Sequence, residues 1–243
     1  MRFFQTLLLI TCLLLIDFQV SAQHQASLHA DLGSTAMHSS LYLRTALTGK
    51  STFNSYSAQY GVLVHCIDNL KSGYSSSFVS AEREFALKKN KLNALVYYLH
   101  SYPSSILGEN NFGFKLNYET SHWDLMLGNN SRRYALRKDF RQQLTPEQQQ
   151  DYKISEWRNL LYRICYRIKP EEHLWNLKAG VTNSDFFHIS QATNPMLFTE
   201  FNYLLNEKLR LNCSVFYKVA GSMNLQADYF GYFIRTGIQW KIK

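Results

Sequence analysis

Past residue 22 the chain contains no uninterrupted apolar run of the ~18 residues that a membrane-crossing helix needs, so that part of it holds no helical span. Cysteine is scarce too. Only Cys66, Cys165 and Cys213 follow residue 22, and an odd, widely spaced set is neither a disulfide framework nor a zinc site. All three read as small packing residues, Cys66 and Cys213 on an apolar parity and Cys165 on a polar one. There is no glycine-rich phosphate loop and no zinc motif, so neither a cofactor nor a metal is expected. Acidic side chains are the minority, 18 against 26 Lys and Arg, which leaves a net charge of +8.

What is present begins at the N-terminus. MRFFQTLLLITCLLLIDFQVSA has Arg2 as a short positive region, an apolar stretch from Leu7 to Ile16, and small residues at Ser21 and Ala22. That order describes a secretory signal peptide over residues 1–22, with cleavage near Ala22-Gln23 and a single domain over 23–243. Thr11 is an unusual residue before a lipid-modified cysteine, which argues against acylation at Cys12. Export changes the meaning of the positive charge. Nucleic acid is not an expected partner; anionic lipid headgroups and lipopolysaccharide phosphates are.

From there the sequence alternates. Residues 112–128 read FGFKLNYETSHWDLMLG, with Phe112, Phe114, Leu116 and Tyr118 on one parity and Gly113, Lys115, Asn117 and Glu119 on the other. Similar rows run through 26–32, 56–65, 159–168, 175–182, 209–218 and 232–242, and less cleanly through 41–48, 77–88 and 91–102. A period of two marks strands. The count is about twelve, each roughly 9–14 residues long, enough to cross a bilayer at a tilt. Arg83 breaks its row, sharing parity with Val79 and Phe85, so a bulge or a headgroup contact is expected there.

Connections give a second signal. Tight links fall at Lys89-Asn90, Thr120-Ser121, 169–172 and Glu207-Lys208, all at one end. Longer ones, 68–76, 103–110, 135–156, 184–195 and 220–227, fall at the other, and 49–54 is a medium link on the short side. Trp123, Trp175 and Trp240 lie near the short-turn end on the apolar parity, as an interfacial aromatic belt requires. Trp157, on the other parity, reads as loop packing.

A secreted β-sandwich also alternates. Its outer face would be wet, however, and rows this rich in Leu, Ile and aromatics would need a very large core. The expectation is therefore an all-β, transmembrane, antiparallel up-and-down barrel, with short periplasmic turns, longer extracellular loops and both termini periplasmic. The chain resembles the outer-membrane β-barrel proteins of Gram-negative bacteria, and its leader resembles those common in the Bacteroidetes. The last strand, YFIRTGIQWKIK, resembles the C-terminal signal that the barrel-insertion machinery reads, which implies that machinery as a partner. It departs in ending on Ile242-Lys243 rather than on an aromatic.

Within a barrel the other parity lines a lumen: Asp31, Arg44, His65, Glu82, Glu84, Lys115, Glu119, Asp124, Arg163, Arg167, Lys178, Glu200, Arg210, Arg235 and Lys241. Basic residues exceed acidic ones, so an open pore would favour anions modestly; arginines and glutamates bridging the lumen would instead close it. One segment carries possible chemistry, Phe186-Phe187-His188-Ile189-Ser190-Gln191. Its His-x-Ser resembles that of two barrel hydrolases, the outer-membrane phospholipase A and the lipid A deacylase. The resemblance implies His188 as base and Ser190 as nucleophile, with Asn202 or Glu200 orienting the ring. Gln191-Ala192 departs from those families' pattern. Thr145, Pro146, Glu147 and Gln148 read as a helix start in the longest loop. Three functions follow in order: passage of small polar solutes, a closed structural, adhesive or secretion-accessory barrel, and a lipid hydrolase.

Overall fold

The computed structural model describes residues 23–35, 40–67, 72–102, 106–151, 155–168, 174–184, 195–218 and 231–242. Twelve strands run in chain order: β1 (Gln23–Thr35), β2 (Ser40–Phe53), β3 (Tyr56–Ile67), β4 (Ser72–Leu87), β5 (Asn90–Ser101) and β6 (Leu107–Glu119), then β7 (Trp123–Leu136), β8 (Ser155–Arg167), β9 (Trp175–Thr182), β10 (Met196–Asn206), β11 (Leu209–Lys218) and β12 (Gly231–Ile242). Every strand pairs antiparallel with its neighbours in sequence, and β12 closes on β1 from His24↔Ile242 to Thr35↔Gly231. The result is a closed up-and-down barrel with no free sheet edge. The expected signal peptide, residues 1–22, lies outside the described residues.

Alternation decides which way each side chain points. Leu28, Leu47, Val62, Phe112, Leu127 and Leu160 stand about half exposed on the outer wall, while Arg44, Ser80, Asn111, Asp124 and Arg167 on the opposite parity are buried inside. A soluble domain hides its apolar row. This one turns it outward on every strand.

Local chemistry fixes the short turns. Asn54 and Lys88 take left-handed φ values of 52° and 56°, the first a residue that tolerates this conformation. At the β6–β7 turn the Thr120 hydroxyl accepts from the backbone N–H of Trp123 at 2.8 Å. At the β10–β11 turn Asn206 Oδ1 accepts from the N–H groups of Lys208 and Leu209, both at 2.9 Å. Residues 49–54 are not a medium link. β2 continues to Phe53 and only Asn54-Ser55 turns, so all the described short connections are tight hairpins.

Several strands extend further into the opposite end than periodicity indicated: β4 starts at Ser72, β6 at Leu107 and β8 at Ser155, which puts Trp157 in a strand rather than a loop. There the long connection carries α1 (Lys138–Arg141) and α2 (Pro146–Asp151). The second begins with a reciprocal cap in which Gln148 N donates to Thr145 Oγ1 and Thr145 N donates to Gln148 Oε1. No bulge accommodates Arg83. Its register is continuous on both sides, and its guanidinium lies on the outer wall over the rings of Tyr56 and Phe85, 5.1 and 4.7 Å from their centroids.

Candidate functional site: the inner wall

Two polar layers line the interior. Toward the long-loop end, Glu109 (β6) is fully buried and Arg132 (β7) nearly so. Arg132 grips it with two bonds, Nε to Oε1 at 2.8 Å and Nη2 to Oε2 at 3.1 Å. The same Nη2 donates to the Tyr134 hydroxyl, and the guanidinium lies over that ring. Ser101 Oγ donates to Glu109 Oε2 at 3.4 Å. The chain of amides continues around the wall, Asn159 to Asn130 at 3.0 Å and Asn130 to Asn111 at 3.3 Å. A buried carboxylate satisfied this way is strongly held, and removing one partner leaves a stranded charge.

Toward the short-turn end the charges pair again. Glu82 accepts from Lys50 at 3.2 Å and from the Ser57 hydroxyl at 3.1 Å. Arg163 meets Asp124 at 2.9 Å, Arg167 meets Glu119 at 3.9 Å, and Lys178 meets Glu200 at 3.7 Å. Lys91 and Glu84 form a looser, exposed pair at 3.3 Å near the rim. Each of these pairs joins strands that are neighbours or next neighbours. The described ion pairs therefore run along the wall and do not span the lumen.

Among these polar groups, inner positions also carry apolar side chains. Ala46, Leu63, Phe78 and Leu99 pack together on β2–β5; Tyr97, Met126 and Leu161 on β5–β8; Cys165, Met196, Phe198 and Phe216 on β8–β11. Inward glycines make room for the rings. Gly113 lies opposite Tyr97 and Gly61 opposite Phe78, and a Cβ on either glycine would collide with the ring. The Tyr97 and Phe78 rings pack over these glycines.

The remaining expected positions fall as follows. Arg44 is 2 % exposed inside β2, with His65 opposite it in the register. Asp31 sits between Arg44 and Arg235 in the β2–β1–β12 register. Lys115 donates to Ser184 Oγ at 2.8 Å and crosses the Tyr97 ring; Arg235 lies over the Phe216 ring. Arg210 is half-buried on β11, while Lys241 is exposed at the short-turn rim. Trp123 and Trp240 stand exposed on the outer wall at the short-turn end, and Trp175 lies at the same end beside Phe201. Cys213 is exposed on the outer wall and Cys165 is buried inside. His188 and Ser190 lie outside the described residues. Asn202 donates to Asn176 at 3.1 Å and to Glu200 at 2.7 Å, so both candidate orienting groups belong to the inner network.

Periodicity missed Lys50, Glu109 and Arg132 and all three apolar clusters. Glu109 and Arg132 share parity with Lys115 and Asp124, so running the alternation a few residues further along each strand would have found them.

No family model matches the chain, and no curated protein is similar to it in sequence. Solved structures do match in shape. The NanC porin superposes with a TM-score of 0.54 at 11 % identity, over 89 % of this chain and 100 % of its own. An outer-membrane channel from Pseudomonas putida F1 gives 0.57 at 9 % identity, over 93 % of this chain and 98 % of its own. The fold is that of outer-membrane β-barrels.

Proposed function

We propose that the protein sits in a bacterial outer membrane and lets small polar solutes pass through its lumen. One observation carries this reading. The described charge pairs lie along the wall, between strands no more than two apart, so none of these pairs bridges the lumen. An eight-stranded barrel fills with its own side chains, and twelve strands give a wider interior. An apolar outer wall, with Trp123 and Trp240 at one rim, fits a bilayer and its interface. In that setting Arg83, braced on Tyr56 and Phe85, would reach lipid phosphates. The excess of inward basic residues gives the passage a modest preference for anions. Resemblance in fold to a porin and to an outer-membrane channel supports the same reading.

A second reading has its own support. Glu109, Ser101 and Asn111 are fully buried, and a wall packed this densely toward the long-loop end would suit a closed barrel with a structural role. Single-channel recording on refolded protein in planar bilayers separates the two. Passage predicts discrete conductance steps with an anion-biased reversal potential in a salt gradient. Silent insertion of protein that still changes mobility in SDS on heating would select the closed barrel.

A further inference from the structure

On the outer wall the apolar row stops before the strands do. Its last members on β6, β7 and β8 are Phe112, Leu127 and Leu160, each more than half exposed. Toward the long-loop end the same outward parity continues as Asn110 on β6, Arg133 on β7 and Arg158 on β8. Arg132 turns inward to Glu109, whereas its neighbour Arg133 is exposed, and so is Arg158. Arg158 faces Ser131 in the register, one outward step from Arg133, so the two arginines are diagonal neighbours roughly 7–8 Å apart. Asn110 stands opposite Arg133 on the other side. Its carbonyl is committed to β5, accepting from the Tyr98 hydroxyl at 2.6 Å and from His100 Nδ1 at 3.1 Å. The Tyr98 ring in turn packs on Phe112, with centroids 4.7 Å apart. Two accessible guanidinium groups thus border a fixed polar and aromatic patch, just beyond the last lipid-facing rings.

From Trp123 to Arg133 β7 climbs roughly 25 Å, at about 3.4 Å per residue and a tilt of about 40°. That is the height of a barrel's apolar band, so Arg133 stands at the interface opposite the Trp123 belt. Deep in hydrocarbon an outward arginine is costly, and at the interface that cost nearly vanishes. We propose that Arg133 and Arg158 bind a phosphate of lipid A in the leaflet at the long-loop end. This rests on the outer-membrane reading alone and not on passage through the lumen. In that reading the short turns are periplasmic, and the long-loop end meets the lipopolysaccharide leaflet. Phosphate oxygens accept paired N–H bonds from a guanidinium fork, and two forks one step apart can hold one phosphate from both sides. Glu156 occupies the register position opposite Arg133, but one carboxylate cannot saturate two groups with five N–H donors each. The acyl chains of the same lipid would descend over Phe112, Leu127 and Leu160. Arg83, at the other rim, faces Tyr56 and Ala94 in its two registers and offers a single fork.

Native mass spectrometry of full-length refolded protein tests this with three probes: bisphosphorylated lipid A, the same lipid freed of phosphate, and phosphatidylglycerol. Wild-type protein is expected to bind bisphosphorylated lipid A roughly 10–30-fold tighter than the dephosphorylated form, the gain of two interfacial arginines. It should also prefer lipid A to phosphatidylglycerol. Arg133→Gln with Arg158→Gln should remove the gain from phosphate, and Arg83→Gln should leave it in place. If the double variant fails to give heat-modifiable protein, the wild-type order of the three probes still decides. Equal binding of the phosphorylated and dephosphorylated lipids overturns the phosphate site, as does an equal loss on Arg83→Gln. Phosphatidylglycerol bound as tightly as lipid A overturns the choice of lipid. Wild-type protein that shows no heat-modifiable mobility in SDS overturns the outer-membrane reading itself, whatever it binds.

Discussion

The wall formed by β6, β7 and β8 and the seam between β8 and β9 are built from the same antiparallel ladder, yet they are secured differently. Between β6 and β7 the register runs unbroken from Leu107↔Leu136 to Glu119↔Asp124, and between β7 and β8 from Trp123↔Tyr166 to Tyr134↔Ser155. Between β8 and β9 it covers only Arg163↔Thr182 to Arg167↔Lys178. Where that ladder stops, a side chain continues it. Asn183 Oδ1 accepts the N–H of Tyr162, and its Nδ2 donates to the carbonyl of Leu160, both at 2.7 Å. The Thr182 hydroxyl donates to the Tyr162 carbonyl at 2.9 Å. One region is locked by backbone pairing plus a buried ion pair, the other by two polar side chains standing in for strand.

The contrast yields ordered expectations. Glu109→Ala should be the most damaging, because it strands the Arg132 guanidinium in the wall. A loss of about 3–5 kcal/mol, read from the urea midpoint of the refolded barrel, is expected. Combining it with Arg132→Met should recover a large part of that loss. Asn183→Ala comes next, at about 2 kcal/mol, since it leaves a backbone donor and an acceptor of β8 without partners. Its effect should concentrate at the seam, as faster amide exchange at Tyr162 with β6 and β7 unchanged. If Asn183→Ala cost more than Glu109→Ala, the ranking of the two regions would be reversed.

Inside the well-paired wall, Gly113→Ala should cost about 1–2 kcal/mol by driving the Tyr97 ring off its seat. Unlike the other two, it should also lower single-channel conductance, because the displaced ring has only the lumen to enter. The smallest change is at the rim. Lys88→Gly relieves a left-handed φ of 56° and should raise stability by up to about 1 kcal/mol. A loss there would mean the turn is not limiting.

The outer wall was legible in the sequence because lipid demands one kind of side chain on one parity for the whole height of the bilayer. Phe112 to Tyr118 and Tyr56 to Val62 carry that signal without ambiguity. The inner wall answers to two demands, and so it was legible only in part. Glu82, Asp124 and Lys178 sit in polar layers where parity and chemistry agree. At the three apolar clusters both parities are apolar, as in Tyr97-Tyr98, Leu160-Leu161 and Val62-Leu63-Val64, and a period-two test reads the inner member as noise. Glu109 and Arg132 were lost for the opposite reason. In Glu109-Asn110-Asn111 and Asn129-Asn130-Ser131-Arg132 both parities are polar, because the strands there have risen past the apolar band; Glu109 therefore read as loop, and nothing in the alternation singled out Arg132. The hydrolase expectation rested on His188 and Ser190, and Glu200 and Asn202 turn out to be committed to Lys178 and Asn176 inside the wall.

The central claim is that the apolar row faces lipid and the charged row faces a lumen. It is tested most directly by a nitroxide scan over residues 112–119 in bilayers, in protein whose Cys66, Cys165 and Cys213 have been replaced. Collision with oxygen, which concentrates in lipid, should peak at 112, 114, 116 and 118 and fall at the positions between. If those four positions were shielded from oxygen and from a water-soluble nickel chelate alike, while 113, 115, 117 and 119 met the chelate freely, the apolar row would be a buried core. The barrel account would then be wrong.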